Sequence, residues 1–151
     1  MFPRRLIASA GLAVALMTST TQATEMTATD TNPLLAPWIG PYGGVPAFDK
    51  ARVEQLKPGL EAAMAERLAE IERIATNPEP ASFENTIAEY ERAGRALDRV
   101  STVYGIYRST LKDEAVRAVE LEMEPRLAAH RDQVTQNEKL FARIAAVYET
   151  R

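Results

Sequence analysis

Apolar side chains recur at intervals of three and four residues through most of the chain beyond residue 49. This spacing predicts amphipathic α-helices, because positions three and four apart share one face of a helix. No segment alternates polar and apolar residues over a useful length, so no β-sheet is expected. The pattern predicts an all-α fold in which residues 49–151 form a long antiparallel helix pair and two further helices. The first two apolar faces comprise Leu60, Met64, Leu68, Ile71 and Ile74, and then Ile87, Tyr90, Gly94, Leu97, Val100, Tyr104, Tyr107 and Leu111.

The connection between the paired helices lies in residues 77–86, which we call the elbow. An asparagine and two prolines interrupt the first helix there, and Ser82 is suited to cap the second helix. Gly94 lies on the apolar face of the second helix, where it costs about 1 kcal/mol in helix propensity relative to alanine. We expect the helix to run through Gly94, with the glycine permitting a close approach of the partner helix.

A short helix over residues 50–56 is expected before the first long helix, with Asp49 as its cap and Pro58 at its end. Pro58 then lies in the first turn of the long helix, where its missing N–H costs little. The polar face of the long helix mixes both signs of charge, which favours a solvated surface. Its members are Glu61, Glu66, Arg67, Glu70, Glu72 and Arg73.

Two further helices are expected after residue 112, opened by Asp113 and Asn137 as caps. Pro125 lies inside the third helix and should kink or divide it by removing a backbone donor. No glycine or proline of the kind that ends a helix follows the fourth helix, so the helical region is expected to be incomplete at its C-terminus. The residues expected to face inward are Val116, Val119, Met123, Leu127 and Val134, and then Leu140, Phe141, Ile144, Val147 and Tyr148.

The segment before the helices is rich in proline and glycine. These residues exclude both helix and central strand from residues 32–48, yet the segment is too apolar for a free linker. We expect an extended arm laid across a hydrophobic surface, held down by Trp38 and Tyr42, with a ligand platform as the alternative role for these aromatics. For Tyr90, Tyr104 and Tyr107, packing is likewise expected first and contact with a peptide second.

Residues 1–23 have the features of a secretory signal peptide. Arg4 and Arg5 precede an apolar run of about a dozen residues, which is short of the ~20 needed to span a bilayer, and Ala23 ends a small-residue cleavage site. The alternative is a retained membrane anchor. General secretion fits the residues after the arginine pair better than twin-arginine export. We therefore expect a periplasmic or secreted protein, with residues 24–48 forming a disordered polar spacer followed by the arm.

Composition narrows the possible functions. The 151 residues are 46% hydrophobic, which suits one ordinary globular domain. A formal net charge of −3 without a basic run gives no electrostatic basis for binding nucleic acid or, once the leader is removed, an anionic membrane. The chain has no cysteine, which excludes disulfides, thiol catalysis and thiolate metal sites.

Candidate chemistry is sparse. His130 is the only histidine, so a zinc site with two or three histidine ligands cannot be built. No serine or threonine is recognisably paired with His130, and we expect it to be a surface or partly buried structural residue. Glu122, Glu124 and Asp132 are expected to form a solvated acidic face, with a weak oxygen site for a hard cation as the alternative. The sequence predicts no catalytic, cofactor-binding or metal-ligating residue in this chain.

Six stretches nevertheless resemble one family. In order and spacing the chain is similar to the start of the mature bacterial peptidyl-dipeptidases, which are dipeptidyl carboxypeptidases of the thimet oligopeptidase family of zinc metallopeptidases. Residues 55–57 and 110–113 depart from the usual pattern of that family. The similar stretches are residues 32–49, 69–78, 82–87, 97–101, 124–130 and 137–144.

The resemblance implies that the chain is the N-terminal helical segment of a larger α-helical metallopeptidase fold. In that family a deep channel holds zinc, bound by a His-Glu-x-x-His motif and a further glutamate, and this motif is absent here. The family's substrates are oligopeptides, and its catalytic region lies downstream of the segment matched here. The first hypothesis is therefore an N-terminal piece of an exported dipeptidyl carboxypeptidase that is inactive alone. The second is a stand-alone periplasmic helical bundle that binds a peptide or a partner protein.

Overall fold

A computed structural model describes residues 32–41, 44–111 and 113–150. Within these ranges the chain is all-α, as predicted, and its extended backbone forms only one isolated bridge, between Ile39 and Val45. The signal peptide predicted over residues 1–23 and the first part of the spacer lie outside the described residues. The elements are a 3₁₀ turn Val53–Gln55, helix α1 Leu56–Ala75, a π-helical turn Phe83–Ala88, α2 Glu89–Arg92, α3 Arg95–Thr110, α4 Glu114–Thr135 and α5 Glu138–Glu149.

Helices α1 and α3 form the predicted antiparallel pair. A methyl group added to Gly59, near the start of α1, would lie 3.3 Å from Val100 Cγ1, and one added to Gly94, before α3, would lie 2.8 Å from Arg67 Cδ further along α1. The start of α1 therefore faces the middle of α3, and a later part of α1 faces the start of α3, which shows that the two helices are antiparallel. Gly59 leaves room for the side chains of Asn32 and Val100 because it has no side chain of its own.

Helix α4 runs parallel to α1 and completes a three-helix bundle. Lys57 near the start of α1 pairs with Glu122 at 2.5 Å, and Glu61, one turn later, pairs with Arg126. Helix α5 packs against α1 and the π-helical turn, at the elbow end of the bundle. None of the described helices is both long enough and apolar enough to cross a bilayer.

The core consists of two hydrophobic clusters arranged along α1. The first lies under the arm and the first half of α1, where Leu56, Leu60, Val100 and Met123 are fully buried. The second lies at the elbow end and joins α1, α4 and α5. Its buried members are Ile71, Ile74, Ala75, Val134 and Leu140.

The arm lies against the first cluster through Leu34, which is 5% exposed. Asn32 Nδ2 donates to the Gln55 carbonyl at 2.7 Å, and Arg99 Nη2 donates to the Leu35 carbonyl at 2.7 Å. Trp38 is only half-buried, so Leu34 and these two hydrogen bonds fix the arm more than the aromatic ring does. Tyr42, the second aromatic expected to hold the arm, lies outside the described residues.

The prediction of a short helix over residues 50–56 is wrong. Only the 3₁₀ turn forms there, and it continues directly into α1. Gln55 Oε1 accepts a 2.9 Å hydrogen bond from the Arg52 N–H, so Arg52 rather than Asp49 begins the turn. Pro58 lies in the first turn of α1, as predicted.

The prediction that the second helix runs through Gly94 is also wrong. Ala93 is extended, and Gly94 has a φ of +87°, in the left-handed region that favours glycine. These two residues separate α2 from α3.

The structure decides between the two outcomes expected at Pro125 in part, and it corrects the expected inward face of α5. Helix α4 continues through Pro125, so the proline does not divide it. In α5, Leu140 is buried, but Phe141 and Tyr148 are 69% and 65% exposed instead of facing inward. Helix α5 packs against α1 and the π-helical turn only on one side. The rest of its wide apolar face therefore lies at the surface.

Candidate functional site

The elbow is closed by reciprocal hydrogen bonds between Ser82 and Asn85. Ser82 Oγ accepts from the Asn85 N–H at 3.2 Å, and Asn85 Oδ1 accepts from the Ser82 N–H at 2.9 Å. This exchange satisfies two backbone donors at the start of the π-helical turn, as a capping box does. Asn85 Nδ2 also donates to the Pro80 carbonyl at 2.9 Å, so Ser82 caps the next element as predicted and Asn85 shapes the loop before it.

Arg143 of α5, which is distant from the elbow in sequence, binds the elbow through its guanidinium group. Its Nη1 donates to the carbonyls of Asn77 and Glu79 at 2.7 and 3.0 Å. Its Nη2 donates to Asn85 Oδ1 at 2.9 Å and to Thr86 Oγ1 at 3.3 Å. All four acceptors are neutral, so the guanidinium serves to order the backbone of the elbow and not to neutralise a carboxylate.

Three polar residues and one glycine lie between the two hydrophobic clusters. We call Arg67, Glu70, Gly94 and His130 the polar seam. Glu70 Oε2 accepts a 2.6 Å hydrogen bond from the Gly94 N–H, which satisfies a backbone donor at the break between α2 and α3. Arg67 and Glu70 were assigned from the sequence to a solvated face, and both are instead partly buried against neighbouring elements.

His130 is more buried than predicted, at 4% exposure. Burial lowers its pKa first and the positive charge of Arg67 lowers it further, while a contact with the Met64 carbonyl opposes the shift. Neither ring nitrogen has a hydrogen-bond partner among the described residues. A ring held neutral beside a guanidinium and away from any hydroxyl nucleophile is not placed for general-base catalysis.

The acidic residues of α4 lie at the solvated surface, as expected, and two of them also form ion pairs there. Glu122 contacts Lys57 and Arg126, and these contacts lower its pKa against the opposing effect of desolvation. Glu124 accepts from the Tyr104 hydroxyl at 3.0 Å and pairs with Arg108 at 2.5 Å. Within the described ranges, no group of three or more histidine, cysteine or acidic residues could hold a metal ion. These donors do not fit zinc, because the single histidine lies beside an arginine and two of the α4 carboxylates already have cationic partners.

The three tyrosines at positions 90, 104 and 107 serve packing roles, as expected first. Tyr104 is buried at 4% exposure and bonds to Glu124. Tyr107, which is half-buried, donates to the Ala51 carbonyl at 3.3 Å and so ties α3 to the segment before α1. Tyr90 packs against the second cluster.

Two surface clefts could accommodate small groups. One of about 530 Å³ lies between the end of α3 and the start of α4, lined by Arg108, Val116 and Arg117 among others. The other, of about 300 Å³, lies between the half-buried Trp38 and the start of α3, where Arg95 and Asp98 line it. Both are open to solvent and neither contains an arrangement of nucleophile and base.

Arg143 is the main residue that the sequence reasoning missed. A helical projection does give a signal for it. Arg143 lies between Leu140 and Val147 on the face of α5 that turns inward, where a long cation is unusual. Arg67 carries a similar signal, because it lies three residues after Met64 and four before Ile71 of the apolar face.

Comparison with known proteins gives two relatives with the same description. The chain is 31% identical over 123 residues to a dipeptidyl carboxypeptidase of Escherichia coli strain K12. It is 30% identical over 121 residues to a dipeptidyl carboxypeptidase of Salmonella typhimurium. The alignments cover 82% and 80% of this chain, and in both cases only 18% of the relative. No protein-family model matches the chain.

Proposed function

Because this chain is related to the bacterial dipeptidyl carboxypeptidases, we propose that it forms the N-terminal helical region of an exported zinc-dependent peptidase. The whole enzyme would remove dipeptides from the free C-terminus of oligopeptides. The observation that carries the proposal is the similarity over 82% of the chain to a relative of that description. The all-α architecture is consistent with it.

The role of this region within such an enzyme is architectural. The bundle of α1, α3 and α4 and the ordered elbow supply a rigid wall, and zinc and the catalytic groups come from the rest of the enzyme. When bound there, zinc makes its water acidic enough to give hydroxide near neutral pH. Within this chain, Arg143 and Asn85 hold the elbow that sets the angle between α1 and the following helices. The chain by itself is therefore expected to be inactive.

A chimera tests the architectural role. The matching segment of the Escherichia coli relative is replaced by residues 32–150 of this chain, and release of dipeptides from a blocked tetrapeptide is measured. We expect the chimera to retain chelator-sensitive activity, while a control with an unrelated helical bundle of equal length is inactive. A soluble, folded chimera without activity would contradict the proposal.

Activity of the isolated chain is a separate test. The purified protein should bind no stoichiometric zinc and release no dipeptide, because it contains one histidine and no His-Glu-x-x-His motif. Chelator-sensitive release of dipeptides by the chain alone would overturn its assignment as an inactive region.

The features of a secretory signal peptide in residues 1–23 support the proposal that the protein is exported. The protein recovered from the periplasm should begin at Thr24, after cleavage behind Ala23. N-terminal sequencing or intact mass distinguishes this outcome from a retained anchor, in which residues 1–23 remain on a membrane-associated chain.

A stand-alone binding bundle is the second candidate, and the closed core favours it. Leu56, Leu60, Val100 and Met123 are fully buried by residues of this chain alone. The DNA downstream of the coding sequence discriminates the two candidates. A continuation encoding His-Glu-x-x-His supports the peptidase region, and an unrelated gene after a stop codon supports the stand-alone bundle.

A further inference from the structure

The strongest unexplained feature is the burial of His130 in the polar seam. The ring is 96% removed from solvent, on the face of α4 that packs against α1, and neither nitrogen is hydrogen-bonded within the described part of the chain. A buried polar group without a partner is costly, and a charged one more so. The packing of α4 on α1 therefore favours the neutral ring, although the Met64 carbonyl on α1 acts in the opposite direction.

The charge on α1 that acts on the ring is the permanent cation of Arg67. Arg67 also has a buried Nε without a hydrogen-bond partner in the described residues. Its side chain lies over Gly94, where an added methyl group would be 2.8 Å from Cδ and 2.9 Å from Nε. The missing side chain of Gly94 thus makes room for a guanidinium to which no carboxylate of the described residues is bound.

The other charged groups near the seam are occupied or turned to solvent. Glu70 is engaged by the Gly94 N–H at 2.6 Å. Arg95, which follows the break, and Arg131 and Asp132, which follow His130 on α4, are exposed. Arg126, one turn earlier on α4, pairs with Glu61. Arg67 is therefore the charge that opposes protonation of the ring.

We propose that His130 is an acid-sensing switch between α1 and α4. Protonation of the ring places a second cation beside Arg67 in the buried seam, and repulsion loosens the C-terminal half of α4 from α1. Glu70 lies one helical turn after Arg67 on α1 and is partly buried, whereas the adjacent Glu66 is exposed. The attraction of Glu70 to the paired cations weakens its hydrogen bond to Gly94, so the break between α2 and α3 loosens at the same pH.

The direction of the effect follows from the two protonation states. Burial and Arg67 lower the pKa of His130 below its ordinary value of 6.5 in the folded protein. The unfolded chain consequently binds more protons between the two pKa values, and the folded state loses stability as the pH falls from 6.5 through the folded pKa. Above pH 6.5 the His130 ring is neutral and α4 stays packed against α1.

Nuclear magnetic resonance on the full chain tests the proposal directly, since His130 is the only histidine. The imidazole signals should titrate with a midpoint below 6.5, and the protection of the Gly94 amide against hydrogen exchange, relative to the intrinsic rate at each pH, should fall with the same midpoint. Arg67→Gln should shift both midpoints upward. Arg73→Gln, an exposed arginine on the same helix, should shift neither.

Two results would overturn the switch. One is a His130 midpoint at or above 6.5 in the folded protein, and the other is a loss of protection at Gly94 on acidification that persists unchanged in His130→Gln. Should His130→Gln fail to fold, the upward shift in the folded Arg67→Gln protein remains decisive, because its absence also refutes the proposal. None of these measurements depends on peptidase activity.

Discussion

Arg143 Nη2 donates a 2.9 Å hydrogen bond to Asn85 Oδ1 across 58 residues of sequence. Asn85 uses the same oxygen to accept from the Ser82 N–H, so one amide connects the cap of the elbow to α5. The elbow is consequently ordered by a tertiary contact as well as by its local turn chemistry. A substitution at Arg143 is therefore expected to affect both the cap of the elbow and the packing of α5.

Arg143→Met removes four hydrogen bonds and leaves the carbonyls of Asn77 and Glu79 without this donor. We expect the free energy of unfolding to fall by about 3 kcal/mol, since hydrogen bonds from charged groups are worth ~1.5–3 kcal/mol each and are not additive. Urea unfolding followed by circular dichroism measures the loss. Lys139→Met on the same helix removes only an exposed ion pair and should change stability by less than about 0.5 kcal/mol. Equal losses in the two variants would contradict the role of Arg143.

Gly94→Ala should destabilise the protein by about 1–2 kcal/mol, because alanine is disfavoured at a φ of +87°. The added methyl group would also displace Arg67. Gly105 in α3 provides the matched control, since an added methyl group meets nothing within 4 Å there. Gly105→Ala should raise the free energy of unfolding by about 0.5–1 kcal/mol. Thermal unfolding of both variants tests the opposite signs.

Met123→Ala should cost about 2–5 kcal/mol, because the side chain is fully buried in the first cluster and its removal leaves a cavity. Leu121, two positions earlier on α4, is 72% exposed. Leu121→Ala should therefore lie within about 0.5 kcal/mol of the parent protein. Denaturant midpoints of similar size for the two variants would show that α4 packs through another face.

Tyr104 should titrate later than an ordinary tyrosine. Burial raises its pKa to about 12, and its hydrogen bond to Glu124 adds to the shift. Because the folded pKa lies above the unfolded value of 10.0, the stabilisation is complete below pH 10 and is lost as the pH rises toward 12. Tyrosinate absorbance measured against pH should show a late component that disappears in Tyr104→Phe. A late component that persists in this variant would reassign it to another of the five tyrosines.

The helix starts were well predicted because capping is local chemistry. Ser82, Asp113 and Asn137 each accept a hydrogen bond from a backbone N–H two or three residues later, as their positions before apolar periodic segments indicated. Asp49 failed as a cap because the chain forms a 3₁₀ turn closed by Gln55, and that turn is continuous with α1.

The interruption at Gly94 was missed because the periodicity of apolar residues continues across it. Leu97 and Val100 keep the spacing set by Tyr90, so the pattern alone indicates one helix. In the folded chain, the left-handed Gly94 is supported by Glu70 and accommodates Arg67, two residues that appear in the sequence as members of a charged face. Their burial depends on the neighbouring helices, which a periodicity of 3.6 residues cannot reveal.

By itself the sequence determined the all-α class, the antiparallel helix pair, the caps and the resemblance to the peptidyl-dipeptidases. These features follow from the spacing of residues near one another in the chain. Only the tertiary structure decided the roles of Arg143, Arg67 and His130, because each depends on partners far away in sequence. The elbow illustrates the difference: local residues set its turn, but a guanidinium from α5 fixes its position.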